Sequence, residues 1–404
     1  MISSIKTEEI LMFEKYYSNR INECVMDVFE QDILSKINEH TISFMGGKIN
    51  LFPKFKEAIY KAYNNAIPKS FVFQYASPYG NVNLRKYIAD RYNSIWNFDN
   101  LTEDNIIITT GSTQALDLIG KVFLNDNDNV LVENPSYIHL ADFLKMYRAN
   151  PYSVSLNSNG LNCDELSSLL SKQNFKIAYL IPNVQNPTTI TYSKENREEI
   201  FEIIKDKELI LIQDNTYGEL NFEDKRLPFI GQNNLVSNIY IGSLSKIFGG
   251  GLRLGFAIAN KEIIEKLAIA KQTSDIHSEN IIQHVIYEYL QNNDFNTYLK
   301  KLKSSYQQQL NIMLNTINEM FPKEIEYSRP EGGIFLWLTL PSYLSGLELL
   351  RKAVERNVLF MPGEYFTQNK TFSNKIRLGY TNIKQENVIE GLSIISSVLK
   401  ENMR

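Results

Sequence analysis

Three groups of polar residues, each placed directly after an apolar run, could act together. In IYIGSLSKIFGGGLRLGF, residues 239–256, Ser243, Ser245 and Lys246 follow such a run, and Arg253 comes seven residues after the lysine in a glycine-rich loop. A lysine attacks a carbonyl only as the neutral amine, which a desolvated or cation-flanked position supplies. Arg253 offers a planar fork of donors suited to a phosphate. The glycines do not make a P-loop, because the lysine precedes them instead of following. In ELILIQDNTYGEL, residues 208–220, Asp214 and Tyr217 close a second run. A carboxylate leaving a buried strand needs a cation or several hydrogen bonds. A cationic ligand nitrogen would serve, and so would a salt bridge to a nearby lysine or arginine. In TTGSTQALDL, residues 109–118, a third run ends at Gly111 and a helix opens at Ser112 and Thr113. Its free N–H groups and positive dipole end make either a phosphate seat or an ordinary helix cap.

The elements that must position these groups are legible as alternating runs. Residues 105–110, 129–133, 176–182, 208–214, 238–243 and 255–260 read as strands, nearly continuously apolar, as strands covered on both faces are. Residues 113–123 read as a helix with Leu116, Ile119, Gly120 and Phe123 on one face. The sum is an α/β fold: an open, mostly parallel sheet with helices on both faces, spanning 51–290. Ligands of such sheets bind at the carboxyl ends of the strands, where the three groups lie. From 291 the character changes to a long polar-rich helix over 300–319, the strand run GGIFLWLTL and further helix, a smaller α+β domain reaching 404. Residues 1–50 read as a helical arm ending in the loop ISFMGGKINLFP.

The chain has 404 residues, enough for two or three domains, and its 43% hydrophobic and 22% charged content is that of a soluble globular protein. A formal net charge of −4 disfavours a nucleic-acid partner. Cys24 and Cys163 lie far apart, which fits a reducing cytoplasm. His40, His139, His277 and His284 show no metal-ligand spacing with them, so no metal site is expected. The start, MISSIKTEEILMF, has acidic residues before any apolar stretch and reads as no signal peptide. No run approaches the ~20 apolar residues of a membrane helix.

The order and spacing of these motifs, from about residue 41 to 399, resemble the class I and II aminotransferases of the fold-type-I pyridoxal-5′-phosphate (PLP) enzymes. Within them, the resemblance is to 2-aminoadipate and kynurenine aminotransferases and to the aminotransferase-like domains of GntR-type regulators. The resemblance implies PLP as cofactor, held as an imine on Lys246 in SLSK. It implies that Asp214 pairs with the pyridine nitrogen, that Tyr217 hydrogen-bonds the phenolate oxygen, and that Tyr137 in ENPSY stacks on the ring. Asn186 in PNVQNPT would share the phenolate oxygen and touch the substrate carboxylate. Ser112, Thr113, Ser243, Ser245 and Arg253 would hold the phosphate. Tyr75, in FQYASPYGNVNLRKYI, would reach the phosphate of a neighbouring subunit in a homodimer with shared sites. Arg377, in KIRLGY, would take the α-carboxylate as a bidentate pair, helped by the Gly47 backbone in FMGGKINLFP. Read without the resemblance, Tyr137 could be a core aromatic and Arg377 a surface cation. His277 and His284 read as packing or surface residues.

The implied activity moves an amino group from an L-amino acid to a 2-oxo acid, with Lys246 as the general base for the α-proton. The same residues would serve elimination, cyclisation or oxidation of an amino acid. A non-catalytic sensor has no need of Lys246, Asp214 and Arg377 together. Three departures stand out. Thr189 replaces the glycine of the family's NPTG, and a threonine enters φ > 0 only at a cost. The phosphate loop reads GSTQ where relatives usually show GSQQ. The stretch MDVFEQDILSKI carries Glu30 and Asp32, where relatives often place a pocket arginine. A cationic or polar substrate side chain, or two carboxylates that merely face solvent, would each explain them. The stretch before residue 41 is too short for the DNA-binding winged helix of the GntR-type regulators.

Overall fold

The apolar runs assemble into one sheet of eight strands. In spatial order these are Ile106–Thr109, Gly255–Ile258, Asn238–Ser243, Ile210–Asp214, Ile177–Leu180, Asn129–Asn134, Asn150–Asn157 and Gly160–Leu161. Parallel pairing runs through the five strands from Asn238–Ser243 to Asn150–Asn157. Gly255–Ile258 is antiparallel to both its neighbours. The computed structural model describes residues 16–22, 24, 29–367 and 374–403; the MISSIKTEEILMF segment, which carries the signal-peptide reading, lies outside them.

Both faces of the sheet are covered, which is why the strands read as unbroken apolar runs. Ile212 and Val130 face a core shared with Ile119 of the Ser112–Phe123 helix and Leu267 of the Lys261–Gln272 helix. Their neighbours Leu211 and Leu131 face the opposite core, with Leu166 and Ile200 of the helices Cys163–Lys172 and Lys194–Ile204. Six of the eight strands match the expected runs, trimmed at the ends. The two others, Asn150–Asn157 and Gly160–Leu161, close the far side of the sheet. NPYSVSLN is mostly half-exposed and carries a proline, as suits a strand flanked only by the two-residue edge strand Gly160–Leu161 and not a buried run.

The 26-residue helix Phe295–Met320 leads into an antiparallel sheet ordered Glu326–Tyr327, Phe335–Thr339, Lys375–Gly379, Met361–Pro362. The helices Gly346–Val354 and Gln385–Asn402 belong to this part. Where described, the stretch read as a helical arm contains only two four-residue helices, Asn19–Asn22 and Gln31–Leu34. Beyond them it is largely extended, and Ile42–Ser43 pairs in parallel with Val358–Leu359. Asn, His, Thr and Gly dominate residues 38–47, and these side chains favour turns and extended backbone over helix. Among the described residues no helix is long and apolar enough to cross a membrane.

Candidate active site

Strand register brings the three polar groups to one edge. Gly255 lies opposite both Thr109 and Ser243, and Asp214 lies opposite Ile241, so three neighbouring strands end side by side. Above this edge lies a cavity of about 140 Å³, lined by Ser112, Thr113, Tyr137, Asn186, Asp214, Tyr217, Ser243, Ser245, Lys246 and Arg253 among others. Ten residues singled out in the sequence therefore converge on one space.

The helix Ser112–Phe123 begins there after Gly111, whose φ of +78° no ordinary side chain adopts cheaply. A Cβ at Gly111 would also lie 2.4 Å from Arg253 Nη2, so the close approach of the guanidinium to this turn requires glycine. No side chain caps the helix, which leaves its first N–H groups open to an anion. Arg253 is itself in the left-handed region, with φ of 47°, and donates to the carbonyls of Thr110 and Gly250 at 3.4 Å.

Lys246 sits on the short Ser245–Phe248 helix and reaches the Gly47 carbonyl at 3.4 Å. Burial, reinforced by the nearby Arg377 and Arg253 cations, lowers its pKa from 10.5 to about 8. A usable fraction is then neutral near physiological pH. Asp214 is half-buried at the cavity and makes no ion pair among the described residues; it is held by hydrogen bonds instead. Its Oδ2 accepts from the Tyr179 hydroxyl at 2.8 Å, and its Oδ1 accepts from Thr216 N at 2.9 Å and Thr216 Oγ1 at 2.6 Å. Burial still pushes its pKa up, against those hydrogen bonds. The salt-bridge alternative raised by the sequence is not what the chain builds. Tyr217 packs edge-on against Phe335, and burial raises its pKa. Thr113 and Tyr137 line the same cavity, and burial raises the Tyr137 pKa, opposed by Thr113.

Arg377 arrives from the small sheet, on the strand Lys375–Gly379. It is buried, not a surface cation, and its guanidinium lies 3.8 Å from the centre of the Phe335 ring and 4.7 Å from that of Phe366. It donates to Asn186 Oδ1 at 2.7 Å and to the Met45 carbonyl at 3.0 Å, while Nε has no partner. Burial lowers its pKa to about 10. Gly46 makes this possible: its φ is +78° and a Cβ there would strike Phe335 at 2.4 Å.

Other residues fall elsewhere. Tyr75 is 85% exposed, stacks edge-on against His277 at 5.9 Å and does not reach this chain's own cavity. Glu30 and Asp32 lie outside the cavity and both pair with Arg351, at 2.5 and 3.4 Å. Thr189 takes φ of +66°, so the departure from NPTG is absorbed as backbone strain. Sequence reasoning missed Tyr179 and Thr216. Tyr179 lies inside the run 176–182, and a hydroxyl in the strand beside Asp214 is a usable signal, as is the Asp-x-Thr step, a recurrent local hydrogen-bonded turn.

The residues fit PLP on structural grounds. Asp214 lacks an internal cation, the Gly111 cradle is an uncapped helix start, and Lys246 has a depressed pKa. Three cations against one carboxylate suit a phosphate and a substrate carboxylate together. The family model for aminotransferase class I and II matches residues 40–395. The chain belongs to this family. It is 33% identical over 365 residues to the 2-aminoadipate transaminase of Thermus thermophilus, covering 89% of this chain and 90% of that protein. The crystal structure of the α-aminoadipate aminotransferase of Thermus thermophilus, complexed with N-(5′-phosphopyridoxyl)-L-leucine, superposes with a TM-score of 0.87. The two are 31% identical, and 96% of this chain and 98% of that one are covered. The kynurenine aminotransferase of Pyrococcus horikoshii gives 0.91 at 28% identity, covering 98% of this chain and 100% of that one. The protein is a PLP-dependent aminotransferase of the fold-type-I class, moving an amino group from an L-amino acid to a 2-oxo acid.

Proposed function

We propose that the residues around the cavity divide the transamination between cofactor retention, proton transfer and substrate capture. The observation that carries this assignment is the meeting of Lys246, Asp214 and the open Ser112 helix end in one cavity. When bound, PLP supplies an electron sink for the electrons released at the substrate's α-carbon. Ser112, Thr113, Ser243, Ser245 and Arg253 hold its phosphate. Asp214, oriented by Tyr179 and Thr216, would pair with the ring nitrogen and keep it protonated. Tyr217 and Asn186 serve the phenolate oxygen, and Tyr137 covers the ring. Lys246 would hold the cofactor through Nζ, and that nitrogen, when free, would take the α-proton of the substrate. Its depressed pKa supports both tasks. Arg377 binds the α-carboxylate, with Gly47 beside it. Borohydride reduction followed by peptide mapping tests the assignment: the pyridoxyl label is expected on Lys246, and a label on Lys261 would overturn the site.

The partner of this site is a second copy of the chain. Tyr75 projects from an exposed aromatic surface that includes Phe71 and Phe73, and apolar surface of this kind supports an interface. We assign Tyr75 to the phosphate of the partner's site. Mixing Tyr75→Phe and Arg253→Ala subunits should then restore about a quarter of the sites after random exchange; no recovery would remove the shared site. We divide the enzyme into an N-terminal arm, residues 1–50, a PLP-binding domain, 51–290, and a small domain, 291–404. The buried, unpaired Cys163 supports a reducing, cytoplasmic setting. The relatives named for 2-aminoadipate and kynurenine make these two acids the first donors to assay.

A further inference from the structure

Behind the phosphate seat, outside the cavity, lies a lysine that the mechanism does not use. The Lys271 side chain has 0% exposure, on the helix Lys261–Gln272. Its Nζ donates to Gln114 Oε1 at 2.6 Å and to both Asp275 carboxylate oxygens at 2.9 Å, which satisfies all three of its N–H groups. Gln114 Oε1 also accepts from Thr110 N at 2.8 Å, and its Nε2 donates to Asp275 Oδ2 at 2.6 Å. The Thr110 hydroxyl lies 3.4 Å from Asp275 Oδ2 and 3.1 Å from Ser278 Oγ. Thr110 is thus gripped through its N–H and its hydroxyl, while its carbonyl accepts from Arg253.

We propose that the Lys271–Asp275–Gln114 cluster is a positioning element for phosphate binding, holding the Thr110–Gly111 turn so that the first N–H groups of the Ser112–Phe123 helix stay open. The proposal rests on the reading of that helix start as the cofactor's phosphate seat. Gln114 is the third residue of the helix. In a capping box a glutamine there returns to the N–H of the N-cap residue. Here it returns one residue further, to Thr110, and the N-cap is Gly111, which has no side chain to occupy the donors. The turn is therefore fixed from behind, and nothing competes for its front. Lys271 and Asp275 form a neutral pair, so their effect on a phosphate is one of geometry and not of added charge. Lys271 is buried while Asp275 reaches solvent, and such a half-exposed pair adds little net stability, so a positioning role accounts for its presence better than a stabilising one. Preorganised donors bind an anion more tightly because no ordering cost is left to meet at binding.

The test separates phosphate from ring. In a Lys246→Ala background, where capture is non-covalent, Lys271→Met should weaken PLP roughly tenfold, about 1.4 kcal/mol. Competition by inorganic phosphate should weaken by a similar factor, and the affinity for pyridoxal, which lacks the phosphate, should not move. Unchanged PLP affinity, or equal weakening of PLP and pyridoxal, would overturn the proposal, because a merely structural role predicts one of these. Should Lys271→Met fail to fold, Gln114→Met breaks the same link nearer the surface and must show the same phosphate-selective loss. Borohydride mapping in the Lys246-intact protein distinguishes the two failures. Unchanged affinity with the label on Lys246 removes the cluster's role alone; a label on another lysine removes the seat as well.

Discussion

The two charges that flank the cavity, the half-buried Asp214 and the buried Arg377, are furnished in opposite ways. Asp214, at the end of a strand in the large sheet, has donors on both oxygens: Tyr179 on one, the Thr216 backbone and hydroxyl on the other. Arg377, in the small sheet, keeps only two hydrogen bonds, lies between Phe335 and Phe366, and leaves Nε without a partner. A carboxylate held from several sides is fixed in direction and suits a cofactor that stays. A guanidinium pressed between rings keeps part of its donor fork free, which suits a carboxylate that comes and goes. On the proposed assignment, the difference separates a resident contact from a visiting one.

The largest expected effect lies on the resident side. Asp214→Asn should leave PLP bound but lower kcat roughly a hundred- to several-thousand-fold, since removing one member of a buried charge pair costs about 3–5 kcal/mol. Near-parental turnover would show that the ring nitrogen does not depend on this carboxylate. On the visiting side, Arg377→Leu should act mainly through KM, raising it about a hundredfold for amino acid and oxo acid alike, because the carboxylate is bound in ground and transition states. Arg377→Lys should rescue little, having no fork to offer. A fall confined to kcat would contradict the contrast drawn between the two charges.

A third, milder test couples the two sides through Lys246. Reaction of the apoprotein lysine with an aldehyde should rise with pH around a midpoint near 8. Arg377→Leu should move that midpoint upward, since the guanidinium is one cause of the depression after burial itself. Between 8 and 10.5 the folded chain holds fewer protons at this group than the unfolded chain does. Apoprotein stability should therefore gain from Lys246 as pH rises through that window, which chemical unfolding at two pH values checks. The smallest effect concerns the turn that supports Asn186. Thr189→Gly relieves a positive φ while adding backbone freedom to the unfolded chain, so the two terms should nearly cancel, leaving stability within about 1 kcal/mol. A loss of several kcal/mol in thermal unfolding would mean that the threonine side chain supports the loop through packing.

Much of the large sheet and its edge was legible because the physics there is local. A strand buried on both faces must be apolar throughout, so a polar residue at its end marks the edge, as Asp214 and Ser243 do. The same rule hid Asn150–Asn157, a half-exposed strand next to the sheet's edge, and hid Tyr179, a polar group inside an otherwise apolar run. Glu133 escaped as well. It is fully buried at the end of its strand and accepts from Ile181 N, Tyr192 and Gln185, and burial raises its pKa to about 7. Its partners lie about fifty residues onward, and no short spacing announces them.

The sequence by itself determined the buried strands of the large sheet, the residues that leave them and the glycines that turn the chain beside them, because each depends on neighbours along the backbone. Only the tertiary structure decided what those residues meet. Arg377 as a buried cation between two phenyl rings, Glu30 and Asp32 turned toward Arg351, and Lys271 set behind the phosphate seat all join segments far apart in the chain. Hydrogen bonds and ring contacts act over a few ångströms, and such distances exist between these segments only once the elements that carry them have packed.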